Sequence, residues 1–315
     1  MKCKKCGSKA VINMRQHKLG LCRDHFLQWF TNQTQRFIKK YKMFEFQDRI
    51  LLAVSGGKDS LALWDVIHRL GYEADGLYIN LGINHDTSYS QRSMEKVKNF
   101  AHDQDLKLII ADIEEMEGAS IPEAARFTLR GKDKPCSTCG ITKRHVMNHI
   151  ARQGEYDVLA TGHNLDDEVA VLFGNTINWQ MGYLLRQHPV LESSPKGFIR
   201  KVKPFFRFYE RETAAYAFLR GIDYIHDECP FAVGAKTIYY KEMLNQMESK
   251  RPGLKLNFYL SFLRAKEEGY FAELRAMHAE DFNLCETCGQ PTSAPKQCAY
   301  CRTWERTRIA KSAIK

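Results

Sequence analysis

The chain has 315 residues and a formal net charge of +10, a length that predicts about two domains and a core of sizeable extent. No apolar run approaches the roughly 20 residues that a membrane-crossing helix needs, and no apolar secretory segment follows Met1-Lys2-Cys3, so a cytoplasmic protein with reduced thiols and no membrane partner is expected. Basic residues crowd both ends, which predicts a polyanionic partner, although a basic soluble enzyme acting on a small molecule has the same total charge.

The first element reads as a metal module. Of ten cysteines, eight form four Cys-x2-Cys pairs, a spacing that suits metal ligands better than a disulfide framework. Cys3 and Cys6 are followed, after fifteen residues, by Cys22 and His25. Two such knuckles make one tetrahedral Zn2+ site of three thiolates and an imidazole. Lysines and arginines around it, among them Lys4, Arg15 and Lys18, offer a face for phosphate. Phe26, Trp29, Phe30, Phe37, Ile38 and Tyr41 then recur at the helical period, predicting a linking helix packed on the next domain.

Ile50 to Val54 is a continuous apolar run, the pattern of a parallel strand buried on both faces. Ala53 and Val54 lead into Ser55, Gly56, Gly57, Lys58, Asp59 and Ser60, after which apolar residues fall at helical spacing from Leu61 to Leu70. Strand, glycine turn and helix start aim unpaired amides and the positive end of a helix dipole into one volume, where an anion is stabilised. The glycines admit phosphate oxygens close to the backbone. Lys58 adds a charge, the serines add hydroxyls and Asp59 can face Mg2+. The spacing is not that of the P-loop, which ends in Gly-Lys-Ser/Thr. It resembles the pyrophosphate loop of the N-type ATP pyrophosphatases, so ATP is the expected ligand; a plain Gly-Ser turn between two core elements is the competing reading.

Beyond this loop the chain alternates in the βαβ manner. Strands are predicted from Ala74 to Leu81, Lys107 to Ile113 and Asp157 to Thr161. Helices are predicted from a Ser90 cap to about Leu106, from Thr142 to Arg152, and from Asn164 to Asn178. The expected fold class is α/β, an open parallel sheet with helices on both faces, flanked by zinc modules. The domains are expected at residues 1–27, 28–275 and 276–315. Ligands in such sheets bind beyond the carboxyl ends of the strands. Ser55–Ser60, Gly82–Ser88 and the run from Thr161 to Asp167 therefore share one mouth, with Gly162 and His163 at the nucleotide. Asp166 and Asp167 fall in a first helical turn, where the dipole favours acids whatever their function.

Cys136 and Cys139 lie between the third strand and its following helix, with Lys143 close behind, and Cys229 stands alone before Pro230. Three thiols can hold an iron–sulfur cluster, bind a third zinc with His226, or carry a persulfide without metal; all three readings stay open. Helices are expected to end near Gly221 and to cover Lys236 to Ser249 and Lys255 to Met277. Cys285, Cys288, Cys298 and Cys301 then form a compact four-cysteine zinc ribbon, followed by a basic tail.

Taken in order, the pyrophosphate loop, Pro135-Cys136-x2-Cys139-Gly140, Thr161 to Asp167, Glu228-Cys229-Pro230 and the two terminal modules resemble the tRNA 2-thiouridine synthetases that act on T-loop uridine 54. The resemblance runs over nearly the whole chain. It implies adenylation of uracil at carbon 2 by ATP with Mg2+, catalytic help from Lys143 and Asp167, and two structural Zn2+. It implies sulfide carried on a 4Fe–4S cluster held by Cys136, Cys139 and Cys229. It also implies tRNA as substrate and a ubiquitin-like protein with a C-terminal thiocarboxylate as sulfur donor, and it admits a homodimer. Wobble-uridine and cytidine tRNA thiolases are the nearest competing families. Other ATP pyrophosphatases need neither the three central thiols nor two zinc modules, and a nucleotide-sensing RNA-binding protein on the same fold is the non-enzymatic alternative.

Overall fold

The structure, a computed structural model, describes residues 1–84, 88–128, 135–277 and 282–314. A hairpin of β1 (Ile12–Met14) and β2 (Leu19–Leu21) leads into α1 (Arg23–Lys40). Then β3 (Ile50–Ala53), α2 (Lys58–Arg69), β4 (Ala74–Asn80), α3 (Tyr89–Asp103) and β5 (Leu108–Asp112) alternate. Two short helices, α4 (Ile113–Glu117) and α5 (Ile121–Arg126), precede α6 (Cys136–Gln153) and β6 (Val158–Thr161). They are followed by α7 (Leu165–Ile177), α8 (Met181–Arg186), β7 (Val190–Leu191), β8 (Arg200–Val202) and α9 (Glu210–Arg220). The chain closes with α10 (Lys236–Lys250), α11 (Leu254–Glu267), α12 (Ala272–Met277), β9 (Asn283–Leu284), β10 (Pro291–Thr292) and α13 (Ala299–Ile314).

Among the described residues the central sheet has six strands in the order β5-β4-β3-β6-β8-β7. All pairings are parallel except that of β7 with β8, so the expected parallel sheet carries one antiparallel edge. Alternation along β3 explains its unbroken apolar run. Ile50 and Leu52 point into one core with Phe30, Trp64 and Tyr216, while Leu51 points into a second with Val146, Met147 and Trp304. In the first core Phe30 stacks on Phe208 and Tyr216 at centroid distances of 4.0 and 4.5 Å, fastening α1 to the sheet domain.

Several elements differ from the sequence expectation. Ser88, not Ser90, stands at the N-cap of α3. The Ser90 hydroxyl instead accepts the Ile83 amide at 2.9 Å and ties down the preceding turn, of which residues 85–87 lie outside the described residues. The helix expected over Lys255 to Met277 is broken into α11 and α12 at Gly269, whose φ is +85°. β7 and β8 are two and three residues long, and β8 opens with Arg200-Lys201, so no apolar alternation announced them. The C-terminal tail is a helix, α13, which buries Tyr300 and Trp304 against α6. Among the described residues, no helix is long and apolar enough to cross a membrane.

Candidate active site

β3 and β6 lie side by side in register, Ala53 opposite Thr161, and the winding of the sheet reverses between them. The crevice beyond their carboxyl ends is where an open α/β sheet receives its ligand, and the Ser55–Ser60 turn and the Thr161-Gly162-His163 turn both open there. Gly56 has a φ of +77°, and a Cβ on it would meet the Ser93 carbonyl oxygen at 2.5 Å. A Cβ on Gly162 would lie 2.9 Å from the Asp59 carbonyl group and the Ser60 nitrogen. Glycine is required at both positions because the loop is wedged between α3 and the second turn.

Inside the loop Ser60 Oγ accepts the Ser55 amide at 3.1 Å and donates to the Gly57 carbonyl at 3.0 Å. Gly57 caps α2 with no side chain, which leaves the first-turn amides for an anion. His163 Nδ1 stands 2.8 Å from Thr161 Oγ1, and its ring is exposed at the mouth.

The charges at this mouth form a closed ring. Lys58 Nζ lies 3.1 Å from Asp59 Oδ2 and 2.8 Å from Glu210 Oε1. Lys241 Nζ lies 3.1 Å from Glu210 Oε2 and 2.6 Å from Asp167 Oδ1. Asp59 Oδ1 accepts Thr213 Oγ1 and, at 3.2 Å, Asn164 Nδ2. Burial pushes the Asp59 carboxyl up against the opposing pull of Lys58. Burial acts the same way on Glu210, but Lys241 and Lys58 outweigh it and hold that carboxyl at about 2.

The neighbouring acids have separate tasks. Asp167 Oδ2 accepts the Asn164 amide at 3.1 Å, completing a capping box on α7, while its other oxygen meets Lys241. Asp166 is buried; it pairs with Lys255 at 2.6 Å and accepts the Glu210 amide at 3.0 Å, and so serves the framework.

The thiols stand on α6 and on a segment hydrogen-bonded to the Ser55–Ser60 turn. Cys136 and Cys139 stand in the first turn of α6 rather than in a loop before it, and Lys143 follows at helical spacing on the same face. Cys136 Sγ is 3.4 Å from the carbonyl of Phe231, two residues beyond Cys229. The segment carrying Cys229 is fixed to α3 by Lys96–Asp223 and Arg92–Asp227 ion pairs, each at 2.6 Å. It is joined to the loop itself by the Ile225 amide, which donates to the Gly56 carbonyl at 2.9 Å. Tyr89 borders the same place: burial, then the Cys229 and Cys139 sulfurs, push its phenol up.

The terminal sets fit zinc. In each, all four ligand atoms lie within 4.8 Å of one another, and among the described residues these two sets alone gather so closely. A Zn–S bond of about 2.3 Å implies thiolates about 3.8 Å apart in a tetrahedron. Cys6 and Cys22 are 3.8 Å apart, Cys288 and Cys298 3.9 Å, and Cys22 Sγ is 3.2 Å from His25 Nδ1. Cys136, Cys139, Cys229 and His226 do not form such a set, whereas the four-iron cube spreads its thiolates more widely than one zinc ion does.

Glu210, Lys241, Thr213 and Tyr89 were not singled out as site residues from the sequence. Glu210 stands far along the chain from Lys58 and Lys241 far from Asp167, so no local spacing marked them; the acidic first turn of α9 was the one available signal.

A profile of the PP-loop domain matches residues 27–231, and one described as the N-terminal LIM domain of 2-thiouridine synthetase TtuA matches residues 2–27. The chain is 48% identical over 305 residues to a tRNA-5-methyluridine(54) 2-sulfurtransferase of Thermus thermophilus, covering 97% of this chain and 91% of that one. It is 41% identical over 313 residues to a protein of the same name in Thermotoga maritima, covering 99% of each. Among solved structures it is similar to the U34-tRNA thiolase NcsA from Methanococcus maripaludis with its 4Fe–4S cluster. The TM-score is 0.75 over 85% of this chain and 88% of that one, at 22% identity, a likeness of fold.

Proposed function

Since this chain belongs to the PP-loop tRNA 2-thiouridine synthetases, the family of the tRNA-5-methyluridine(54) 2-sulfurtransferases, we propose that it replaces the carbon-2 oxygen of T-loop uridine 54 by sulfur at the expense of ATP. The observation that carries this reading is the hydrogen bond from the Ile225 amide to Gly56, which seats the Cys229 segment against the pyrophosphate loop. Activation and sulfur delivery then share one mouth.

Uracil carbon 2 is a poor electrophile because its oxygen does not leave. Attack of that oxygen on the α-phosphorus of ATP breaks the bond to the β phosphate and releases pyrophosphate. Sulfide then adds to carbon 2, the carbon–oxygen bond breaks, and AMP departs with the oxygen. The α2 amides, Lys58, Ser55 and Ser60 hold the phosphates, and Gly162 and His163 border the nucleotide. Mg2+ held through Asp59 would spread the phosphate charge. A 4Fe–4S cluster held by Cys136, Cys139 and Cys229 would offer one iron without a protein ligand for exogenous sulfide. Lys143, on the same face of α6 as two of those thiols, stabilises negative charge as sulfur adds. Asp167, held by its capping box and Lys241, orients groups around the nucleotide.

Eight remaining ligands, Cys3, Cys6, Cys22, His25, Cys285, Cys288, Cys298 and Cys301, close two zinc shells with no open position, a structural role. The basic ends meet tRNA phosphates, a ubiquitin-like thiocarboxylate protein supplies the sulfur, and the reaction takes place in the cytoplasm. The test is mass spectrometry of nucleosides from tRNA treated with anaerobically reconstituted protein, ATP and sulfide. A 2-thiouridine derivative mapped to the T-loop is the expected product. Thiolation confined to the anticodon, or pyrophosphate release without any thionucleoside, would overturn the reading.

A further inference from the structure

We propose that helix α10 supplies a second half of the pyrophosphate site: Lys241 binds the β and γ phosphates of ATP together with Lys58, and Glu210 holds both lysines until phosphate displaces it. The inference rests on the reading of Ser55–Ser60 as the ATP loop and extends it to residues no loop motif contains.

The loop lysine does not stand open to solvent. Its ammonium group is bound by Glu210 at 2.8 Å, and the other oxygen of the same carboxylate binds Lys241 at 3.1 Å. One anion bridging two ammonium groups is the arrangement that a phosphate would make. Glu210 is the first residue of α9 and its amide is fixed on Asp166 at 3.0 Å, so its side chain can swing away while its backbone stays.

Exposure separates this ring from the structural ion pairs around it. The side chains of Lys58, Lys241 and Glu210 keep 23%, 24% and 36% of their surface in solvent, whereas Lys255 and Asp166 keep 4% and 5%. A buried pair is framework; a ring on an open mouth is available to a ligand. Two ammonium groups also face three carboxylates there, Asp59, Asp167 and Glu210. Among the described residues of this ring, negative charge therefore exceeds positive until Mg2+ arrives or Glu210 swings away, which favours the metal complex of the triphosphate over free anions.

Titration calorimetry of the full chain with inorganic pyrophosphate and, separately, with AMP, both with Mg2+, tests this. Lys241→Met should weaken pyrophosphate binding about tenfold or more and leave AMP nearly unchanged, and Lys241→Arg should restore most of the loss. Glu210→Gln should tighten pyrophosphate binding, because the two lysines no longer have to be released from a carboxylate. This gain decides the matter if Lys241→Met does not fold. Equal weakening of both ligands by Lys241→Met, or no weakening at all, overturns the inference, as does a loss with Glu210→Gln. Wild-type protein that binds neither ligand would instead overturn the ATP-loop reading on which it stands.

Discussion

His145 lies flat against Tyr300, with ring centroids 3.6 Å apart and planes inclined by 4°. The first is on α6, the helix of Cys136 and Cys139; the second is on α13, within the C-terminal metal module. Gln290 strengthens the contact, standing 3.1 Å from His145 Nε2 and accepting Asn148 Nδ2 at 2.9 Å. The C-terminal module is therefore built onto the thiol-bearing helix.

Loss of that module should be felt at the thiols before it is felt at the nucleotide. Metal analysis of protein purified without air should return about two Zn per chain, one for each closed tetrahedral set. Cys288→Ser should release one of them and lower tRNA thiolation while ATP binding persists. Tyr300→Ala should cost about 3 kcal/mol in a denaturant titration, a typical figure for truncating a buried aromatic. Full zinc content and full thiolation in Cys288→Ser would remove the module from this role.

Glu212 predicts a pH dependence of stability. It is buried beneath the N-terminal module, accepting Gln16 Nε2 at 2.7 Å and the Tyr209 amide at 2.9 Å, and burial pushes its carboxyl from 4.5 up to about 8. The folded protein thus keeps a proton that the unfolded chain releases, so this contribution is complete below the unfolded value and is lost as pH rises toward 8. Glu212→Gln should raise the melting temperature relative to wild type at pH 8 and not at pH 5. The same shift at both pH values would refute the assignment.

The central thiols predict colour. Anaerobically reconstituted protein should be brown and absorb broadly in the visible, and Cys229→Ala should lose this absorption while keeping both zincs. Colourless apoprotein that thiolates tRNA as well as the reconstituted form would favour a persulfide relay. Release of a third zinc by His226→Ala would favour the metal alternative.

Asp59 carries both a structural and a chemical expectation. Its carboxylate accepts Thr213 and Asn164 besides facing the mouth, so replacement is not silent for the fold, as a residue facing only ligand would be. Asp59→Asn should lower pyrophosphate release about a hundredfold or more and cost about 1–3 kcal/mol of stability. Undiminished pyrophosphate release would take Asp59 out of the nucleotide site.

What could be read from the sequence is what local chemistry dictates. Each Cys-x2-Cys or Cys-x2-His knuckle places two metal-ligating side chains within a few residues, so Cys3, Cys6, Cys22 and His25 declared themselves by spacing. Ile50 to Ala53 declared a central strand because both faces of the sheet are covered and every position is apolar. The loop from Ser55 to Ser60 was legible because its glycines, lysine and serines act through the turn they themselves form. Tertiary structure decided the rest. Lys58 meets Glu210 across 152 positions, a pairing set by how α9 packs against α2. β8 is a strand because β6 offers it an edge, not because Arg200-Lys201 favours one. Asp166 and Asp167 are adjacent acids in one helical turn, yet the α-helical rotation between them sends one to buried Lys255 and the other to Lys241 at the mouth. Sequence names two equivalent carboxylates there; only the packing of α10 and α11 against α7 makes one of them framework and the other part of the site.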